Sequence, residues 1–436
     1  MSNLYRSFLY ILLLASVLII AVCCTPKDDG KFVTINEGHF EIAGKPYYFI
    51  GTNFWFGAIL GSQGEGGNRK RLIRELDYLS SIGVNNLRIL VGADGMDGTL
   101  TKVMPTLQKT PGVYNDSIFD GLDFLLAEMG KRNMYAVLYF TNSWEWSGGY
   151  GQYLEWTGHG ATPVPSRDGW NTYIKYVEQY AGCQECMDLL KKHITAVITR
   201  TNRYTGKKYV NDSAIFSWQI CNEPHAFGEQ NKELFEHWMK EIAAHIRSLD
   251  PNHLISSGSE GIAGSEFDIA LYERIHTKSE INYFTLHIWP LNWGWINAEN
   301  MNTTLDSCIE RTNKYLNEHI ALGRKYKIPV VVEEFGFPRD ERLYATETPV
   351  TCRDRYMENI FRQVVQHSHN NDVLAGCNFW AWGGFGRATP GHVYWQRGDE
   401  YLGDPAQEEQ GLNAVFDIDP TISLIREYTY QINTVR

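Results

Sequence analysis

From residue 32 onward, short runs rich in Val, Ile, Tyr and Phe alternate with stretches whose apolar residues recur every three or four positions. The first pattern predicts strands and the second predicts amphipathic helices. Eight runs read as strands: 47–53, 85–90, 135–139, 215–221, 254–258, 283–286, 329–334 and 375–380. Between them, Leu72, Ile73, Leu76 and Leu79 make one helical apolar face, and Leu234, Phe235, Trp238, Met239, Ile242 and Ile246 make another. Asp250-Pro251-Asn252-His253 should stop that second helix and turn the chain into the fifth strand.

Eight strand-then-helix repeats with no composition break predict an α/β fold, a single (β/α)8 TIM barrel over residues 32–436. The rival, a doubly wound open sheet, would want a glycine-rich phosphate turn after the first strand, and Gly51-Thr52-Asn53-Phe54-Trp55 is a poor dinucleotide fingerprint. Ahead of that strand, residues 32–42 and the turn Ala43-Gly44-Lys45-Pro46 predict a short β-hairpin that plugs the barrel floor. Two long aromatic loops, 141–186 and 381–411, follow the third and eighth strands and should lie on the catalytic face.

Composition narrows the function classes. A net charge of −11, with no long Lys/Arg run, would repel a phosphate backbone, so nucleic acid is not an expected partner. Thirteen Trp and 25 Tyr exceed what a barrel core readily absorbs, because each carries a polar group that needs a partner or an exposed edge. Some should line a groove. Residues 1–24 look like an address: Arg6 precedes an apolar run from Phe8 to Cys24, which gives way abruptly to Thr25-Pro26-Lys27-Asp28-Asp29-Gly30. The run is short for a spanning helix and resembles a lipoprotein-type signal peptide, with acylation at Cys24 or Cys23 and a linker over 25–31. The expectation is an exported chain held at the outer membrane or cell surface by lipid alone, otherwise periplasmic or secreted, and a monomer. Of the remaining cysteines, Cys183 and Cys186 read as a loop staple or free thiols, with no second such pair to complete a zinc site. Pairing of Cys221, Cys308, Cys352 and Cys377 is left open.

The candidate chemistry sits where strands end. Trp218-Gln219-Ile220-Cys221-Asn222-Glu223-Pro224 brings a carboxylate to the end of the fourth strand, and Pro224 cannot continue the ladder. Pro329-Val330-Val331-Val332-Glu333-Glu334-Phe335-Gly336 ends the seventh strand in the same way. Strand parity lets only one of Glu333 and Glu334 face the axis, and the Glu-Phe-Gly context favours Glu334. Two rim carboxylates on nearly opposite strands can meet across the mouth, the arrangement a retaining glycosidase needs.

On these motifs the chain resembles glycoside hydrolase family 5 from about residue 32 to its end. Asn222-Glu223-Pro224 looks like the family's acid/base motif and Glu334-Phe335-Gly336 like its nucleophile motif. Arg88 in Asn86-Leu87-Arg88-Ile89 matches the site arginine that keeps the nucleophile ionised, His287 the strand-six histidine, and Trp380 the sugar platform of strand eight. Within the family the chain is most similar to the β-mannanases, through Thr141-Asn142-Ser143-Trp144, Gly148-Gly149-Tyr150, and His287-Ile288-Trp289-Pro290 with Trp293. Two positions depart: Trp289 stands where many relatives carry Tyr, and His225 where many carry Arg.

The resemblance implies a retaining endo-β-1,4-mannanase with no cofactor or metal, acting on mannan, galactomannan or glucomannan. An exo-acting β-mannosidase is the nearest alternative, an endo-β-1,4-glucanase the next. A surface glycan-binding lipoprotein that no longer cuts is the reading from another class, and retention of Glu223 and Glu334 speaks against it. Asn222 is expected to bond the sugar 2-hydroxyl, and Glu223 to titrate above Glu334. Trp55, Trp144, Trp146, Trp293, Trp295 and Trp382 are candidates for stacking on sugar faces, Trp144 and Trp293 above the rest.

Overall fold

The computed structural model describes residues 32–434. The leader, its acylation cysteines and the linker assigned above lie outside the described residues.

All eight expected barrel strands form: β1 (Phe49–Asn53), β2 (Asn86–Leu90), β3 (Tyr135–Asn142), β4 (Ile215–Asn222), β5 (Leu254–Ser256), β6 (Phe284–Ile288), β7 (Val330–Phe335) and β8 (Leu374–Phe379). They make one parallel sheet in the order β5-β4-β3-β2-β1-β8-β7-β6. A parallel bridge between Ser256 and Tyr283 joins its two ends, so the sheet closes into a (β/α)8 barrel. Helices follow the strands and cover the outside, as residues buried on both faces require.

Asn68 caps the helix Arg69–Ser81 by accepting from the Arg71 N–H at 3.0 Å, and Leu72, Leu76 and Leu79 are buried while Ile73 is half-buried. On the helix Lys232–Leu249 the expected face holds except at Leu234, which is 46% exposed because it lies one step outside the arc of Phe235, Trp238, Met239, Ile242 and Ile246. The stop after this helix is side-chain chemistry: Asp250 Oδ1 accepts from the N–H groups of Asn252 and His253 at 2.7 and 3.1 Å. Its other oxygen accepts from Trp218 Nε1 at 2.7 Å, which ties the turn to β4.

The N-terminal hairpin is a three-stranded meander, Val33–Asn36, His39–Ile42 and Lys45–Tyr47. Tyr47 therefore belongs to the floor rather than to the first barrel strand. The turn is Ala43-Gly44, both at positive φ, which matches the twist of the flanking strands. Pro46, lacking an N–H, falls on the edge strand, where nothing needs that donor. Phe40 plugs the floor, with ring centroids 4.9 Å from Phe216 and 5.4 Å from Tyr283. Among the described residues no helix is long and apolar enough to cross a membrane. Cys183 and Cys186 form a disulfide at the start of the helix Gln184–Ile198; Cys221, Cys308, Cys352 and Cys377 are free and buried.

Candidate active site

β4 ends at Asn222, and Glu223 then adopts φ +49°, a left-handed conformation that residues with a side chain rarely take. Its N–H donates to Gly258 O at 2.9 Å, and the Ser143 hydroxyl donates to its carbonyl, so neighbouring strand ends hold the twist. The carboxylate points into the barrel mouth. There Oε1 accepts from His287 Nδ1 at 2.8 Å and Trp289 Nε1 at 3.2 Å, and Oε2 from Trp144 Nε1 at 2.5 Å.

Glu334, next to last in β7, receives a charge-assisted bond from Arg88 Nη1 on Oε1, and Trp289 Nε1 lies 3.3 Å from its Oε2. One indole N–H thus faces both carboxylates. Donor atoms of Glu223, His287 and Glu334 all lie within 4.8 Å of one another. Those three groups could in principle grip a metal ion, but the fixed cation of Arg88 already answers Glu334, and His287 already donates to Glu223. The Trp at position 289 therefore supplies the bond to Glu334 that the tyrosine of many relatives would supply.

Arg88 is fully buried and every arm is used: Nε to Gln219 Oε1 at 2.7 Å, Nη1 to Asn53 Oδ1 at 3.1 Å, and Nη2 to Asn222 Oδ1 at 2.8 Å. Asn222 in turn donates to Asn142 Oδ1 at 3.1 Å, which fixes its amide beside Glu223. The parity argument for Glu334 fails in one respect. Glu333 is also inside the barrel, bonded by Gln219 Nε2 at 2.6 Å and Tyr283 Oη at 3.1 Å. The cause is a β-bulge: Leu286 pairs with Val332 and His287 with Glu334, leaving Glu333 unpaired and both side chains turned inward.

Burial dominates the electrostatics. It pushes His287 down to about 4, so the ring is neutral and its Nδ1–H is free to donate to Glu223. The two carboxyls titrate as one unit. Burial lifts Glu334 well above the ordinary carboxylate range; the Arg88 charge opposes this and the facing Glu223 adds to it. For Glu223, burial acts upward but the bond from His287, with help from Trp144, brings it below its ordinary value. The order is thus the reverse of that expected from sequence, because Glu223 meets three N–H donors and Glu334 lies deeper.

The pocket over this pair is about 540 Å³. Trp144, Trp146, Trp289, Trp293 and Trp380 line it, and the Trp380 ring packs edge-on to Trp289 at 5.6 Å. Three of the proposed stacking residues lie elsewhere. Trp55 is buried and donates to Gly403 O at 2.8 Å, Trp382 is buried and donates to Glu75 Oε2 at 2.8 Å, and Trp295 packs on Trp293 and Tyr315. Each found a core partner for its N–H or ring, which local sequence does not reveal.

His225 reaches the pocket, with Nε2 2.5 Å from Glu260 Oε2 and its ring 5.5 Å from Trp144. Burial lowers His225, but the bond and charge of Glu260 outweigh it and the imidazole is raised above its ordinary value. Glu260 was not anticipated, although it follows β5 as Glu223 follows β4, at the polar end of a strand. Trp170, half exposed at the rim, and the polar group Gln407, Glu408, Glu409 and Asn413 were not anticipated either. Trp170 opens the helix Trp170–Val177 within the 141–186 segment, and residues 407–409 belong to the 381–411 segment; both segments were expected on the catalytic face, but these residues were not singled out.

Residues 30–436 match the family model described as GH family 5 beta-mannosidase-like. The chain is 27% identical over 401 residues to a putative mannan endo-1,4-beta-mannosidase of Oryza sativa subsp. japonica, covering 89% of each chain. It is 29% identical over 371 residues to a mannan endo-1,4-beta-mannosidase of Arabidopsis thaliana, covering 81% of this chain and 78% of that one. Among solved structures, a glycoside hydrolase family 5 mannosidase from Rhizomucor miehei in complex with mannosyl-fructose superposes with a TM-score of 0.86 at 33% identity, over 93% of this chain and 98% of that one. With the paired carboxylates, the barrel and these likenesses in agreement, the chain belongs to glycoside hydrolase family 5, in its β-mannosidase-like group.

Proposed function

We propose that the protein is a retaining β-mannoside hydrolase that removes mannose units from the ends of β-1,4-linked manno-oligosaccharides. The observation that carries the double-displacement chemistry is the short separation of two carboxylates, Glu223 and Glu334, which face one indole N–H while Arg88 bonds only one of them. Retaining enzymes hold their carboxyl groups about 5–5.5 Å apart, too close for a water to sit between nucleophile and sugar. Glu334, answered by Arg88, acts as nucleophile. Glu223 gives its proton to the leaving oxygen, then takes one from the incoming water once Glu334 is esterified and its charge is gone. The pair needs one proton, and the arriving glycosidic oxygen supplies an acceptor beside Glu223 that draws it there.

End-wise action is supported by the uneven lining of the pocket. Glu223 lies on an aromatic flank with Trp144, Trp170 and His225, which suits the faces of leaving sugars. The flank beside Trp380 is instead polar, with Gln407, Glu408, Glu409 and Asn413, and an Arg342–Glu409 ion pair of 2.9 Å bridges the loops after β7 and β8. Hydroxyl-seeking groups gathered at one end suit a terminal sugar better than a polymer passing through. The endo-acting reading is supported by the plant relatives. Product analysis separates them: mannose as first product from mannohexaose supports the exo reading, and mixed oligomers from mannan overturn it. Glu334→Ala should abolish both, and turnover surviving in that variant would remove the nucleophile assignment. Export and lipid anchoring through residues 1–24 complete the proposal, and mass spectrometry of the mature N-terminus tests it; an unmodified terminus beyond Cys24 refutes it.

A further inference from the structure

A second pocket, of about 150 Å³, lies beside the first on the same face of the barrel, between the loops that follow β2 and β3. Trp144 and Trp146 line the active pocket, and Glu145 between them lines this one. Glu145 is only 6% exposed, and its Oε2 has no hydrogen-bond partner. A buried acceptor left unmatched is destabilising, so it calls for a donor from whatever fills the space. Burial is also what raises its carboxyl to about 7.

Other lining residues supply the complementary chemistry. Lys102 is buried and donates to Gln152 Oε1 at 2.8 Å. Gly95, at φ +96°, makes room for that bond, since a Cβ there would stand 2.0 Å from Gln152 Oε1. Thr162 anchors the third side by donating to Gly151 O at 2.7 Å. Trp156, half-buried, adds an indole that packs on Tyr153 at 5.2 Å. A carboxyl acceptor, an ammonium donor, a side-chain amide and an aromatic plane around one small cavity match the vicinal hydroxyls and apolar face of a pyranose. A metal would not choose a cavity walled by an ammonium, and an apolar ligand would leave Glu145 unmatched.

We propose that this pocket is a second, non-catalytic sugar site that holds one hexose unit of a manno-oligosaccharide beside the active pocket. The identity of the sugar rests on the mannoside reading above; the existence of the site does not. Ligand titration of the Glu334→Ala protein with mannotriose, followed by calorimetry and native mass spectrometry, should show two equivalents bound. Trp156→Ala and, separately, Lys102→Met should weaken the second about tenfold and leave the first in place. Trp156→Ala in the otherwise native chain should leave turnover of a small aryl mannoside unchanged, which also reports that the variant is folded. A single equivalent, lost with Trp144→Ala and indifferent to Trp156→Ala, overturns the second site and leaves the functional reading standing: the cavity then holds water only. Two equivalents that ignore both substitutions overturn the placement. No mannoside bound at either pocket overturns the mannoside reading as well, whereas one cello-oligosaccharide bound in a Trp156-dependent way would keep the site and reject the sugar.

Discussion

Trp289 is the most informative position to perturb, because a single N–H serves both carboxylates at 3.2 and 3.3 Å. Hydrogen bonds to charged groups contribute about 1.5–3 kcal/mol, and bonds of this length belong at the lower end. Trp289→Phe should therefore lower kcat/KM on an aryl β-mannoside by about tenfold, each 1.4 kcal/mol being a factor of ten. The same N–H favours the ionised carboxylates, so its loss should raise the titration of the pair and move the acidic limb of the pH–rate profile to higher pH. A second handle reaches the same ring without touching its chemistry. Gly336 lies under Trp289, and a Cβ added there would stand 2.4 Å from Cζ3 and 3.0 Å from Cη2. Both atoms belong to a rigid ring packed on Trp380, so Gly336→Ala must displace the indole from the carboxylates. It should reproduce the Trp289→Phe effects, and the double variant should add little to either. Full pH profiles of the two variants, with circular dichroism as the check on folding, decide the matter. Wild-type kcat/KM with an unmoved acidic limb in Trp289→Phe would refute the reasoning.

Other expectations follow from the same contacts. Arg88→Lys keeps a charge but loses the fork that bonds Glu334, Asn222, Asn53 and Gln219, and should cut kcat/KM by at least about a hundredfold, read on the same substrate. The raised value of His225 means that the His225–Glu260 contribution to stability is complete below the ordinary histidine range and is lost as pH climbs through the raised value. His225→Arg should hold that pair charged and extend the alkaline limb of activity on oligosaccharides; an unchanged limb would show that the pair has no part in binding. Asp419 answers the fully buried Arg339 through bonds of 2.9 and 2.7 Å. Asp419→Ala strands that cation and should cost about 3–5 kcal/mol in denaturant unfolding; a loss under about 1 kcal/mol would mean that water reaches it.

The local alphabet of the chain already determined the barrel. Period-2 and period-3.6 patterns need only neighbours a few residues apart, so all eight strands and the helical faces at Leu72–Leu79 and Phe235–Ile246 could be read directly. Glu223 and Glu334 were legible for the same reason, since a carboxylate at a strand's end beside Pro224 or Gly336 is a local signal. What depends on partners distant in sequence was not legible. The bulge that turns Glu333 inward is set by register between β6 and β7, and the burial of Trp55 and Trp382 by Gly403 and Glu75, residues some 350 and 300 positions away along the chain. Glu260, Trp170 and the 407–413 segment join the pocket only because barrel closure brings the ends of different strands to one face. The ionisation of the carboxyl pair is likewise tertiary: it follows from how deeply each group lies and which N–H groups converge on it, and those distances exist only once the barrel has closed.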